Sequence, residues 1–268
     1  MDHDYSTIDR ILHRFALGST VIPLASFDIE TALQKPDTSC FDTQHIFISG
    51  LARAGTTVLM RIFHETGRFR SLTYRDMPFI LAPGLWDKIS GRFRESGELK
   101  ERAHGDSLLV DFDSPEAFEE VFWRVFTGNR YIKKQRLVPY DVDDETISKF
   151  RTYVALILMS SGNEAHTRYL SKNNNNILRI SAIRKAFPNA LVIIPFRSPL
   201  QHANSLLKQH LRFSDKENQD GFTQDYMTWL GHYEFGPAHK PFAFSSVHTD
   251  IHKSHPQSSL EDRKSTRL

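Results

Sequence analysis

Apolar positions along this chain recur at two different periods, and the alternation between them sketches the fold. Residues 5–16 and 23–34 carry apolar side chains at helical spacing and predict two helices ahead of residues 45–49. That next run is too short for a helix and rich in Ile and Phe, so it predicts a buried strand ending at Gly50. From Thr56 onward Val58, Leu59, Ile62 and Phe63 return at helical spacing, predicting a helix with that face on a sheet. Residues 116–126, behind Ser114-Pro115, predict an amphipathic helix with Phe118, Val121, Phe122 and Val125 inward, and residues 146–161 predict another. Residues 190–196, ALVIIPF, read as a second buried strand after a turn at Pro188-Asn189. Pro199 then opens a helix whose apolar stripe is Leu200, Ala203, Leu207 and Leu211, with Ser205 on the opposite face beside Gln201 and Gln209. A last helical pattern covers residues 222–233.

Two stretches break the pattern. Residues 66–113 are irregular and rich in Gly, Pro, Arg and aromatic residues, the usual composition of a lid or binding surface. Residues 245–268 are polar and weakly patterned, and the abrupt EDRKSTRL ending resembles that of a fragment. The expectation is one α/β domain over residues 1–244, with 66–113 as a loop-rich insertion and 245–268 as a disordered or non-native tail.

Composition narrows the class. With 268 residues and 40% hydrophobic content, twenty Phe among them, the chain can bury a sizeable core. Lys and Arg number 34 against 32 Asp and Glu, which is not the footprint of a nucleic-acid binder. Cys40 is the sole cysteine, excluding an intrachain disulfide or a thiol metal cluster. His248, His252 and His255 lie in a polar tail where no acidic or thiol partner completes a site, so a solvated tail and no metal are expected. The N-terminus is charged rather than signal-like, and the longest apolar run, residues 154–159, has the length of a buried helix segment and not of a membrane span. The cytosol is the expected setting.

Candidate chemistry concentrates at residues 45–57, HIFISGLARAGTT: a strand, a glycine-containing loop with one arginine, and a threonine pair opening a helix. A helix start offers unpaired N–H groups and the positive end of its dipole to an anion. Gly50 and Gly55 allow close backbone approach, and Thr56 and Thr57 add hydroxyl donors. A nucleotide-hydrolysing loop would read G-x-x-x-x-G-K-[ST]; here Thr56 holds the lysine position and the loop's cation is Arg53, which argues against Mg-ATP chemistry. By itself G-x-x-x-x-G-T-T fits a purely structural strand-turn-helix as well as it fits a phosphate site.

The second strand supplies the discriminating pattern, because Arg197-Ser198-Pro199 follows it at once and Ser205 lies eight residues after Arg197. GLARAGTT together with FRSPLQHANSL resembles the two cofactor motifs of the PAPS-dependent sulfotransferases, in particular the bacterial and tyrosylprotein-like branch, over roughly residues 45 to 212. The resemblance implies a three-layer, P-loop-like fold with a central, mostly parallel sheet flanked by helices. It implies that Gly50, Arg53, Ala54, Gly55, Thr56 and Thr57 hold the 5′-phosphosulfate of PAPS, and that Arg197 and Ser205 hold the 3′-phosphate. Ala54 stands where serine is commoner in the family. Residues 168–172 match a lysine-bearing strand of the family, with Lys172 as a catalytic cation.

Cytosolic members continue lysine, threonine, histidine at that point, the histidine being the base; here the run is Lys172-Asn173-Asn174. Two other bases are candidates. Asp76, in Arg75-Asp76-Met77-Pro78, falls at the distance from the loop arginine where tyrosylprotein-type members keep a glutamate, and His104 is the rival, suited to proton transfer near neutral pH. Phe79, Trp86 and Trp123 are aromatic candidates for an acceptor pocket, against a core reading. Nothing near the C-terminus matches the family's Gly-rich, Trp-Lys cofactor segment. The implied activity is sulfuryl transfer from PAPS to a hydroxyl or amine acceptor, releasing PAP. A P-loop nucleotide kinase and a non-catalytic nucleotide-binding protein are the alternative classes.

Overall fold

The computed structural model describes residues 7–36, 39–90, 100–101, 109–110, 113–160, 168–217 and 221–244. His104 and the tail from 245, with His248, His252 and His255, lie outside the described residues. Helices α1 (Thr7–Leu17) and α2 (Val21–Gln34) precede strand β1 (Ile46–Ile48), which runs through the 50–55 loop into α3 (Thr56–His64). Then come α4 (Pro83–Ser90), a short antiparallel pair of β2 (Lys100–Glu101) and β3 (Leu109–Val110), α5 (Glu120–Thr127) and α6 (Asp144–Met159). Strand β4 (Leu170–Lys172), α7 (Ile180–Ala186), β5 (Leu191–Ile193), α8 (Pro199–Glu217) and α9 (Gly221–Trp229) complete the order.

The main sheet is parallel in the order β4-β1-β5, with Ile48 level with Lys172 on one side and Ile193 on the other. Alternation along β1 sorts its side chains between two helical layers. Ile46 and Ile48 pack with Met60 of α3, Phe69 and Leu170. Phe47 points the other way, its ring 6.1 Å from Phe150 of α6 and 6.0 Å from Phe187 after α7. The result is the three-layer arrangement, a parallel sheet between helices, that the sequence implied.

Several local expectations shift. In α3 the buried face is Thr56 and Met60 with Leu59 and Phe63 partly covered, whereas Val58 and Ile62 are exposed. The helix expected from 116 starts at Glu120, because Glu116 N–H bonds Leu72 O and Pro115 bridges Thr73 in an extended pairing. The irregular 66–113 segment contains α4, whose first N–H groups are capped from another helix: buried Glu30 accepts from Gly84 N at 3.0 Å and Leu85 N at 3.1 Å. A Cβ at Gly84 would sit 2.9 Å from the Glu30 carboxylate, so glycine permits that approach. Burial raises the Glu30 carboxyl above its ordinary value, opposed by those two N–H groups.

The largest departure concerns β5 and α8. Strand β5 is the sheet's edge rather than a buried strand, and Leu191, Ile194 and Phe196 are exposed. Helix α8 is rotated from the expected orientation: Leu200, Leu207 and Leu211 face outward while His202, Gln209 and Phe213 are buried. Contacts of the other face, polar with the loop after β1 and apolar around Phe213, accompany the rotation. His202 Nε2 lies 2.7 Å from Ala52 O, and Phe213 stacks on Phe235 at 5.7 Å.

Candidate functional site

The loop after β1 owes its shape to three positive φ angles, Gly50 at 118°, Arg53 at 65° and Gly55 at 96°. At Gly50 and Gly55 only glycine adopts these without strain, and Arg53 is held there as a non-glycine residue. Gly55 caps α3, so the first N–H groups of that helix border the space in front of the loop. Arg53 Nε donates to Ser205 Oγ at 3.3 Å, and Arg197 Nη1 donates to Arg53 O at 3.2 Å. Loop, strand end and α8 are thereby drawn together, as the two sequence motifs implied.

A cavity of about 240 Å³ opens at this point. Each of the three parallel strands contributes to it from its carboxyl end: Arg53, Gly55, Thr56 and Thr57 after β1, Lys172 and Asn174 at the end of β4, and Arg197 after β5. This is where open parallel sheets place their ligands. Three cations, Arg53, Lys172 and Arg197, face one space beside the start of a helix, an arrangement suited to an anion carrying several charges. Gly50, Ala54 and Ser205 are next to the cavity in the chain or by contact but do not line it.

Lys172 is held by the turn that follows it. The run Asn173-Asn174-Asn175-Asn176 is buried, and every one of its amides donates: Asn173 to Glu120 at 2.6 Å, Asn174 to Glu234 at 2.9 Å, Asn175 to Gly231 O at 3.1 Å and Asn176 to Glu119 at 2.9 Å. Glu119 also accepts from Trp123 Nε1 and Tyr169 OH, and Glu120 from Tyr131 OH and Arg179 Nη2. Arg179 is itself buried, its guanidinium 4.9 Å from the Trp123 and Tyr131 ring centres. Buried carboxylates of this kind persist only when paired and hydrogen-bonded.

Another wall comes from the segment after α9. Gly231, at φ 71°, lets the chain pass Glu120, where a Cβ would approach the Glu120 side chain to 2.4 Å. The chain then presents His232, Glu234 and Phe235 to the cavity. His232 Nδ1 lies 3.3 and 3.4 Å from the two Glu234 oxygens. Burial works against a charged imidazole, but the Glu234 carboxylate outweighs it and raises His232 above its ordinary value. Burial likewise opposes the Glu234 charge, yet His232, Lys172 and the Asn174 amide hold it well below the usual carboxylate range. Glu116 completes this wall, one oxygen accepting from Ala117 N at 3.0 Å.

Asp76, the sequence candidate for the base, sits elsewhere. It is 4% exposed, does not line the cavity, accepts from Arg70 Nη2 at 2.7 Å, and caps its own 3₁₀ turn through Thr73 N at 2.7 Å. Its carboxylate is occupied in structure, closing the capping box of this turn and pairing with Arg70. His104 lies outside the described residues. Trp123 is fully buried in the core, and Phe79 packs on Trp86 at 5.0 Å between rings, so none of the three aromatic candidates lines the cavity. Glu116, Asn174, His232 and Glu234 were not identified as site residues from sequence. One signal was available: His232-Tyr233-Glu234 after a glycine places two titratable side chains on the same side of an extended segment.

Residues 45–244 match the sulfotransferase family. No curated protein matches the chain. Among solved structures, the chain is similar to sulfotransferase STF1 from Mycobacterium tuberculosis H37Rv, at 15% identity and a TM-score of 0.47, covering 96% of this chain and 76% of that one. It is similar to sulfotransferase STF9 from Mycobacterium avium at 15% identity and a TM-score of 0.46, covering 94% and 72%.

Proposed function

The chain belongs to the sulfotransferase family, and on that premise we propose that it transfers a sulfuryl group from PAPS to a hydroxyl or amine acceptor and releases PAP. The observation that carries the reading is the convergence of Arg53, Lys172 and Arg197 with the start of α3 on one cavity at the strand ends. The residues fit the cofactor's chemistry. The 55–57 backbone, Arg53 and Lys172 suit the 5′-phosphosulfate, and Arg197, anchored on the loop backbone, suits the 3′-phosphate with Ser205 beside it.

Transfer displaces the 5′-phosphate of PAP from sulfur, so charge grows on that leaving oxygen and must be stabilised where it develops. Arg53 and Lys172 supply positive charge on that side of the cavity, and the buried turn that follows Lys172 fixes the backbone from which its side chain extends. The reading includes a cytosolic setting. Among the described residues no helix is long and apolar enough to cross a membrane.

Two measurements test the proposal. Calorimetry is expected to show tighter binding of PAP than of 5′-AMP, and radiolabelled PAPS is expected to label an acceptor in a screen of phenols, alcohols and amines. Arg53→Ala is expected to depress turnover far more than PAP affinity, because PAP lacks the transferring group. Equal affinity for PAP and 5′-AMP would defeat the cofactor assignment. Mg-dependent ATP turnover would instead support a kinase.

A further inference from the structure

The His232 and Glu234 side chains belong to neither sequence motif, yet they line the same cavity as the loop after β1. Both are largely shielded, each 14% exposed. Their geometry is that of an oriented imidazole. Nδ1 faces both Glu234 oxygens, so in the neutral ring the proton is fixed on Nδ1 and Nε2 is the nitrogen able to accept another. Glu234 is fixed in turn by the Asn174 amide at 2.9 Å, and Asn174 is two residues from Lys172 in the same buried turn. The chain Asn174, Glu234, His232 therefore ties the imidazole to the element that positions the cavity's lysine.

We propose that His232 is the group that takes the acceptor's proton in sulfuryl transfer, with Glu234 and Asn174 as its positioning residues. The proposal rests on the sulfuryl-transfer reading above. As the acceptor oxygen or nitrogen bonds to sulfur, the bond from sulfur to the 5′-phosphate oxygen breaks and its electron pair leaves with PAP. The acceptor's proton passes to Nε2 of His232, and the imidazolium so formed sits against the Glu234 carboxylate until it releases the proton to solvent. The charged groups facing His232 are Glu234 on its own segment, Lys172 at the end of β4, and Glu116 ahead of α5. Glu116 is a less suitable acceptor of the proton, because its oxygens receive Ala117 N–H at 3.0 Å and Tyr74 OH at 3.4 Å.

The coupling of the pair is testable without turnover. With ring-labelled histidine, the resonance lost in His232→Gln identifies His232, and its titration is then followed in Glu234→Gln. Removing the carboxylate's charge is expected to lower the His232 pKa by about one unit or more. An unmoved titration overturns the proposal.

Transfer from PAPS to the best acceptor of the phenol, alcohol and amine screen is then measured against pH. His232→Gln is expected to lower kcat by about a hundredfold or more while PAP affinity, read by calorimetry, stays within about threefold. Glu234→Gln is expected to move the acid limb of the rate profile to lower pH and to lower the plateau. A His232→Gln enzyme with near wild-type kcat overturns the role, most directly if Glu116→Gln is the variant that loses it. A wild-type chain that binds PAP but transfers to no probe overturns the proton role and leaves the cofactor site standing. One that fails to prefer PAP to 5′-AMP overturns the underlying reading instead.

Discussion

The loop after β1 and the turn after β4 leave neighbouring parallel strands at the same end of the sheet, yet they are stabilised by opposite means. The loop relies on backbone conformation: three positive φ angles, a helix start left open, and carbonyl oxygens tied to His202 of α8 and to Arg197 just ahead of it. The turn relies on side chains: four buried asparagines spread over Glu119, Glu120, Glu234 and a backbone carbonyl. The difference follows from what each presents. A loop that offers its own N–H groups to an anion cannot spend them on internal bonds. A turn that offers one lysine can spend everything else on holding that lysine still, since a point charge placed loosely stabilises little in a transition state.

If that contrast is right, disturbing the turn lowers stability and disturbing the loop lowers binding. The largest effect is expected at Arg179. Its guanidinium is fully buried against Glu120 at 2.8 Å, and Glu120 is also the acceptor for Asn173 and Tyr131. Arg179→Ala leaves that carboxylate buried without its counter-charge, and urea denaturation is expected to show a loss of about 3–5 kcal/mol. A loss under about 1 kcal/mol would mean that the network is not what holds the turn.

A pH effect of similar origin is expected at His45, at the foot of β1. The ring is completely buried, and its Nδ1 accepts the Tyr169 N–H at 3.0 Å, a bond that requires a neutral ring. Burial lowers its pKa to about 4, assisted by Arg168 and opposed by a hydrogen bond with the Cys40 backbone. The unfolded chain binds this proton below about 6.5 and the folded chain does not until about 4. Stability from this residue is therefore present above pH 6.5 and lost as pH falls from there toward 4, by roughly 3 kcal/mol in all. His45→Asn, whose amide oxygen stands nearest the place of Nδ1 and carries no titrating proton, is expected to remove that part of the acid sensitivity in paired denaturation curves at pH 7 and pH 4.5.

The same contrast explains what could be read from sequence. The loop was legible because its chemistry is local: Gly50, Arg53, Gly55 and the threonines occupy one short segment, and Arg197 with Ser205 repeat a spacing along one helix. The turn was not, because its acceptors are Glu119, Glu120, Gly231 and Glu234, with Arg179 paired to Glu120, and only the fold brings these together. Four consecutive asparagines look like compositional noise until each amide is seen to have a separate acceptor. Apolar periodicity misled at α8 for a related reason. Leu200, Leu207 and Leu211 form a regular stripe, but the face that packs is the other one, through His202 and Ser205 on the loop and Leu206 and Phe213 against Phe235, and the stripe is left outside.

On the loop side, Arg197 is expected to matter for binding alone. It lines the cavity and donates to Arg53 O at 3.2 Å, so its loss removes a cation and little packing. Arg197→Ala is expected to reduce the preference for PAP over 5′-AMP by about 2 kcal/mol, the scale of a hydrogen bond to a charged group. Its urea midpoint is expected to stay near wild type. A large stability loss with an unchanged nucleotide preference would make Arg197 a structural member of the loop.

The smallest expected effect is at Thr57, and it tests whether the loop works through backbone groups. Thr56 and Thr57 open α3 together, but Thr56 is only 3% exposed whereas Thr57 is half-buried at the cavity wall. The first-turn N–H groups beside it survive any substitution that keeps the helix, and alanine is the best helix former. Thr57→Ala therefore removes one hydroxyl donor from the cavity and nothing from the backbone. Calorimetry is expected to show PAP binding weakened by about 1 kcal/mol, or about fivefold, with no loss of stability. A drop of a hundredfold or more would show that side-chain hydroxyls, and not the backbone of the loop, carry the anion, and the contrast drawn between the loop and the asparagine turn would fail at that point.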